Sequence, residues 1–137
     1  MSADFREQPH ARARGRVGED DAVRWLAGHG YQIVERNVVN HGGEIDVVAR
    51  DGETLCFIEI KARDGNLYGP AIEAVTAGKQ RRLSRAASLY VATRNLYRLP
   101  CRFDVLGLDR EGDSGWRYTL IRDAFPYSPG PSPRRRR

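Results

Sequence analysis

Cysteine is scarce in this chain of 137 residues, which holds only Cys56 and Cys101. Two cysteines, both in or beside strand-like segments, exclude a disulfide framework and point to reduced thiols and a cytoplasmic location. Histidine occurs three times, at His10, His29 and His41, with no metal-ligand spacing, so a zinc motif is excluded. His41 precedes an acidic motif and reads as a turn residue or a substrate contact. No glycine-rich phosphate loop or serine triad is visible. No apolar run approaches the roughly 20 residues that span a bilayer. Residues 1–16 are polar and dotted with arginine, without the apolar stretch of a signal peptide. There is no internal repeat.

What remains is ordinary for one globular domain: 40% hydrophobic and 30% charged residues, enough for one modest core. The positive charge is unevenly placed. Of the net +5, residues 134–137 carry +4 and residues 1–16 carry +2, leaving −1 for residues 17–133. Basic ends suit a nucleic-acid binder, because they neutralise phosphates and release counterions; a solubilising tail is the alternative. The domain reading is a loose arm over residues 1–15, one domain over 16–125, and a proline- and arginine-rich tail over 126–137.

Periodicity orders the domain. Val17, Ala22, Trp25 and Leu26 make an apolar stripe, and Gly30 stops that helix. Residues 31–39 read as a strand and residues 40–43 as a turn. Residues 44–50 and 54–62 read as a hairpin whose loop carries Asp51-Gly52. Residues 64–70 read as a loop. A helix starts within residues 72–79 and runs to about residue 93, with Leu83, Ala86, Ala87, Tyr90 and Val91 at helical spacing. Residues 102–108 and 116–121 read as strands. The expected fold is α/β, an αβββαβ core whose mixed sheet has helices against it, plus a terminal strand.

The hairpin gathers charge. Side chains alternate along a strand, so Glu44 and Asp46 share one face, as do Glu59 and Lys61. With Asp51-Gly52 as the whole loop, Asp46 faces Phe57 and Glu44 faces Glu59. Asp46 and Glu59 are then diagonal neighbours, roughly 7–8 Å apart. Ile45, Val47, Ile58 and Ile60 are expected on the opposite face. Like charges across strands repel, so the cluster calls for a cation, and oxygen ligands suit Mg²⁺ or Mn²⁺. Asp46 and Glu59 are the candidate ligands. Lys61 sits where it can assist an attacking water or a developing phosphorane, or merely neutralise Glu59 and Asp46.

Further along, Lys79, Arg82 and Arg85 recur at helical spacing, so one helix face can line a phosphate backbone. A solvated helix face is the alternative. Gln80 is a further residue that can point into the site. Arg63 and Tyr68 follow the Glu-x-Lys strand as a rim for substrate. Arg102-Phe103-Asp104 reads as structural, with Asp104 near the sheet edge and Arg102 paired to an acid.

Over about residues 17–108 the chain resembles the PD-(D/E)xK nuclease superfamily, and within it the YraN-like (UPF0102) group related to archaeal Holliday-junction resolvases. The resemblance rests on ordered motifs: Glu19 in the first helix, Arg36-Asn37, Gly43-Glu44-Ile45-Asp46, and Glu59-Ile60-Lys61 with Arg63 behind it. Tyr68-Gly69-Pro70, the Lys79 helix and Arg102-Phe103-Asp104 complete the series. Ile45 stands where the superfamily signature has proline, a position that varies. The resemblance implies a restriction-endonuclease-like fold. It also implies two further metal ligands, the Ile60 carbonyl and the Glu19 carboxylate. Glu19 reads otherwise as part of an acidic first helical turn with Asp20 and Asp21, complementing the macrodipole.

The function expected is Mg²⁺- or Mn²⁺-dependent phosphodiester hydrolysis on DNA, including branched DNA. The catalytic set is Asp46, Glu59, Lys61 and Glu19, and the nucleic-acid contacts are Arg63, Lys79, Arg82 and Arg85. The alternative is a nucleic-acid-binding module with a nuclease-like fold, little turnover and a protein partner. Superfamily resolvases act as dimers, which makes a homodimer a corresponding expectation; no membrane association is expected.

Overall fold

Seven elements among the described residues follow the expected order: α1 (residues 18–28), β1 (Gln32–Asn40), β2 (Gly43–Asp51), β3 (Thr54–Arg63), α2 (Ala77–Arg94), β4 (Cys101–Glu111) and β5 (Gly115–Phe125). The structure is a computed structural model and describes residues 18–63, 75–113 and 115–127. The expected arm over residues 1–15, residues 128–137 of the expected tail, and the 64–70 loop with Tyr68 lie outside the described residues; Tyr127, expected in the tail, packs against the core. The strands form one mixed sheet in chain order. Its pairings are antiparallel except β3 with β4, which are parallel. A parallel step needs a long crossover, and α2 lies within it.

The two helices cover opposite faces. Leu83, Ala86, Ala87, Tyr90 and Val91 of α2 pack with Ile45, Val48, Leu55, Phe57 and Phe103. Ala22 and Leu26 of α1 pack with Val47, Ala49, Cys56, Ile58, Leu106 and Leu108. The Thr76 side chain caps α2 by accepting from the Lys79 N–H. Asn95 ends the helix in the left-handed region at φ 55°, a conformation asparagine tolerates. No helix among the described residues is long and apolar enough to cross a membrane.

Three sequence expectations need correction. First, the β2–β3 loop is Gly52-Glu53, because Asp51 pairs with Thr54 and Arg50 with Leu55. Gly52 at φ 62° takes the first central position, as a type II′ turn prefers. Asp51 thereby stays in the ladder, where it accepts a hydrogen bond from Arg102 Nη2 at 2.9 Å. Second, Ile45 packs on the α2 side, while Val47, Ile58 and Ile60 lie on the α1 side. The change of side falls opposite Asn37, which has φ 53° and sits between the pairs Arg36↔Val47 and Val38↔Ile45. Third, Asp104 is on an interior strand and only 1% exposed.

Arg102 does pair with acids, donating to both oxygens of Asp104 at 2.8 and 2.9 Å. Tyr31 Oη and the Asp123 N–H also donate to Asp104, at 2.7 and 2.9 Å. Burial pulls the Asp104 carboxyl up. Arg102, the Asp123 N–H and Tyr31 outweigh it and hold the group below the ordinary carboxylate value.

Candidate active site

The backbone ladder between β2 and β3 stops at Val47↔Ile58. The same register carried one step further sets Asp46 across from Glu59. There the Asp46 side chain takes over from the backbone: the Ile60 N–H donates to its Oδ2 at 2.8 Å. The register thus differs from the expected diagonal arrangement, and the Glu59 charge acts on Asp46 there.

The pair lies in a cleft of about 540 Å³ lined by residues from both helices and three strands. Glu44, Asp46 and Glu59 come from the hairpin and Glu19 from α1. Lys61 comes from β3, and Lys79 and Arg82 from α2. The sequence-predicted set of Asp46, Glu59, Ile60, Lys61, Glu19, Lys79 and Arg82 therefore converges on one cleft. Arg85, one turn past Arg82, is exposed outside the lining, and Arg63 ends β3, also outside it. Gln80 turns away and donates to the Val75 carbonyl at 3.4 Å. His41 is exposed at the turn and is not part of the lining. Val39, Asn40, Gly43 and Leu83 also line the cleft and were not foreseen. Val39 is 73% exposed, an apolar contact at an otherwise charged lip.

Electrostatic conflict marks the acidic wall. Burial, followed by repulsion from Glu59, Glu19 and Glu44, pushes the Asp46 carboxyl up to about 7, against the stabilising N–H of Ile60. Lys61 Nζ lies 3.4 Å from Glu59 Oε2, with both side chains largely covered. The Lys61 amine beside it, with burial, lowers the Lys79 amine below its ordinary value.

A second conflict lies in α2. Its 18 residues contain no acid, and Lys79, Arg81, Arg82 and Arg85 crowd its first half. Cations near a helix N-terminus oppose the macrodipole. Arg81, Arg82 and Arg85 form no ion pair with a described residue. One wall thus offers carboxylate oxygens to a cation, and the other offers cations to an anion.

The donor set suits a hard divalent ion. Among the described residues no three His, Cys, Asp or Glu side chains group closely enough to hold a metal by themselves. Mg²⁺ ordinarily uses one or two carboxylates and completes its shell with waters and substrate phosphate, and Asp46 with Glu59 fits that pattern.

Comparison with known proteins places this cleft within a matched region. The model of the uncharacterised protein family UPF0102 matches residues 18–108, a span that holds every charged side chain of the cleft. A UPF0102 protein of Symbiobacterium thermophilum is 48% identical over 115 residues, covering 84% of this chain and 98% of the relative. One from Chlorobium chlorochromatii is 48% identical over 116 residues, covering 81% and 89%. One from Hahella chejuensis is 41% identical over 111 residues, covering 81% and 88%. With the family model spanning both helices and strands β1 to β3, and relatives of this identity matched over most of their length, the chain belongs to the UPF0102 family.

Proposed function

We propose that the chain is a metal-dependent nuclease that hydrolyses phosphodiester bonds in DNA, branched DNA included. One observation carries the reading: a covered aspartate, pushed up to about 7, faces a second carboxylate in a cleft whose other wall is cationic. A site built only to stabilise the fold would not leave like charges opposed across two strands. Asp46 and Glu59, with the Ile60 carbonyl and Glu19 beside them, would hold Mg²⁺ or Mn²⁺. Bound there, such an ion polarises a phosphoryl oxygen and lowers the pKa of a bound water.

The chain's own residues supply the rest. The Ile60 N–H fixes the Asp46 carboxylate in one orientation. Lys61, held at the cleft by Glu59, is the cation placed to stabilise charge that develops on the phosphate. Lys79 and Arg82 neutralise substrate phosphates on the opposite wall, with Arg85 and Arg63 as outer contacts.

The second reading is a nucleic-acid-binding module without turnover. It draws on the lack of a group of three metal-type side chains among the described residues. One assay separates the two: purified protein and its Asp46→Asn variant are incubated with branched, single-stranded and duplex DNA and with RNA, in Mg²⁺, Mn²⁺ or EDTA. Metal-dependent cleavage lost in the variant is expected. Binding without cleavage under every condition would replace the nuclease with the binding module.

A further inference from the structure

We propose that Asn40 is a positioning residue, which clasps the turn ahead of Glu44 and Asp46 to the backbone of α2 and so fixes the acidic wall of the cleft against the basic one. The inference rests on the proposed reading of the cleft as a nucleic-acid site. β1 ends at Asn40 and β2 begins at Gly43, so the connection is the two-residue loop His41-Gly42. Asn40 uses both ends of its amide. Its Oδ1 accepts from the Gly42 N–H at 2.8 Å and the Gly43 N–H at 3.3 Å. Its Nδ2 donates across to the Ala86 carbonyl of α2 at 3.0 Å.

The two halves of this contact differ in kind. The acceptor half shapes the turn locally, as asparagine and aspartate both do. The donor half reaches 46 positions along the chain and ties the turn to the middle of a helix. Gly42 completes the clasp. A Cβ there would stand 2.7 Å from Ala86 N and from the Arg85 carbonyl carbon, so the turn backbone lies directly on the helix backbone. At Gly43 a Cβ would stand 3.4 Å from the Arg82 carbonyl oxygen.

Position gives the clasp its consequence. Glu44 and Asp46 follow the turn immediately, and Arg82 sits one helical turn before Ala86. The rest of the α2–sheet contact is an apolar cluster, which is non-directional, and a polar tie near the far end of the helix, where Tyr90 and Arg94 donate to Glu35 of β1 at 3.1 and 3.2 Å. That tie lies about two turns or more beyond Arg82. The amide bond and the glycine contact fix the helix nearer the end that carries Lys79 and Arg82.

Asn40→Asp is the discriminating variant. Aspartate keeps both acceptor bonds to the turn, loses the donor to Ala86, and sets its own oxygen against that carbonyl. Asn40→Asp and Asn40→Ala are compared with the parent by thermal melting, by residual dipolar couplings of β2 and α2 amides, and by affinity for a labelled oligonucleotide at fixed salt. Asn40→Asp is expected to melt a few degrees below the parent, to show α2 reoriented on the sheet, and to bind about tenfold more weakly, the scale of one lost hydrogen bond to a positioned group. In a Lys79→Ala, Arg82→Ala background the same substitution is expected to cost no further affinity, because the two effects share one cause. Parent-like couplings and affinity in Asn40→Asp would confine Asn40 to its turn and overturn the proposal. An undiminished affinity loss in the double-variant background would do the same. A parent protein that binds no oligonucleotide refutes the nucleic-acid reading of the cleft, and the dipolar couplings then still decide the clasp.

Discussion

Replacing Asp46 by asparagine is expected to make the metal-free protein more stable above neutral pH. The carboxyl titrates near 3.8 in an unfolded chain and is pushed up to about 7 in the fold. Below pH 3.8 both states carry the proton and the carboxyl costs nothing. As pH rises towards 7 the unfolded chain releases its proton first, so stability falls, and above 7 the penalty is constant. The gap is worth about 4 kcal/mol at 1.36 kcal/mol per pH unit. The cleft opens to water and Lys61 lies beside Glu59, so screening reduces this to about 2 kcal/mol. Asparagine keeps an oxygen for the Ile60 N–H, which removes the charge while retaining the bond. At pH 8 without metal, Asp46→Asn should therefore melt about 8 °C above the parent, taking about 4 °C per kcal/mol for a domain of this size. The advantage should shrink steadily between pH 7 and pH 4. Differential scanning calorimetry in EDTA across that range reads the effect. Saturating Mg²⁺ should raise the parent's melting temperature at pH 8 and leave the variant's unchanged, since only the parent has the ligand charge to relieve. An advantage independent of pH, or a variant less stable at pH 8, would refute the electrostatic argument.

Lys61→Ala should keep oligonucleotide affinity within a few-fold and lose about 10²–10³-fold in single-turnover cleavage rate, the scale of one missing charge-stabilising donor; equal rates in saturating protein would remove Lys61 from the chemistry. Combining Lys79→Ala with Arg82→Ala should lower the salt slope of log K for duplex DNA by about 2, at roughly 0.9 per phosphate contact. An unchanged slope from filter binding would mean that α2 does not touch the backbone. Arg102→Ala should cost roughly 3–5 kcal/mol in urea unfolding, because it strands the covered Asp104 carboxylate. That variant's loss should ease at low pH, where protonation removes the stranded charge.

Element order was legible because each element follows one strong signal: α2 shows its apolar positions at helical spacing, and β2 and β3 alternate around the acidic motif. Register was not legible. Sliding the β2–β3 pairing from the expected loop to Gly52-Glu53 shifts partners by two residues, and a period-two pattern survives such a slide with every side chain on its original face. The observed register sets Asp51 beside Arg102, 51 positions away along the chain, a contact that local periodicity does not reveal. Asn37 and Asn40 were opaque for a related reason. One acts through a left-handed backbone and the other through a carbonyl on a distant helix, and neither leaves a mark on local periodicity. The candidate site fared better. Charged side chains at alternating strand positions and helical spacing converge wherever the topology brings the strand ends to the helix start.

Charge is handled in opposite ways at two places on this sheet. Toward the β2–β3 loop, Asp104 accepts from Arg102, Tyr31 and Asp123, and Asp51 accepts from Arg102. There the buried Asp104 is fully partnered and titrates below its ordinary value. In the cleft, carboxylates oppose one another, one titrates well above its ordinary value, and cations gather at the helix end that repels them. The same chain that surrounds a buried aspartate with donors from Tyr31, β4 and β5 leaves Asp46 on β2 with the Ile60 N–H and repulsion from three carboxylates. Departures from local consistency concentrate where a protein binds something. A metal ion bound together with a phosphate, as proposed for this cleft, would bring a cation to the acidic wall and an anion to the basic one.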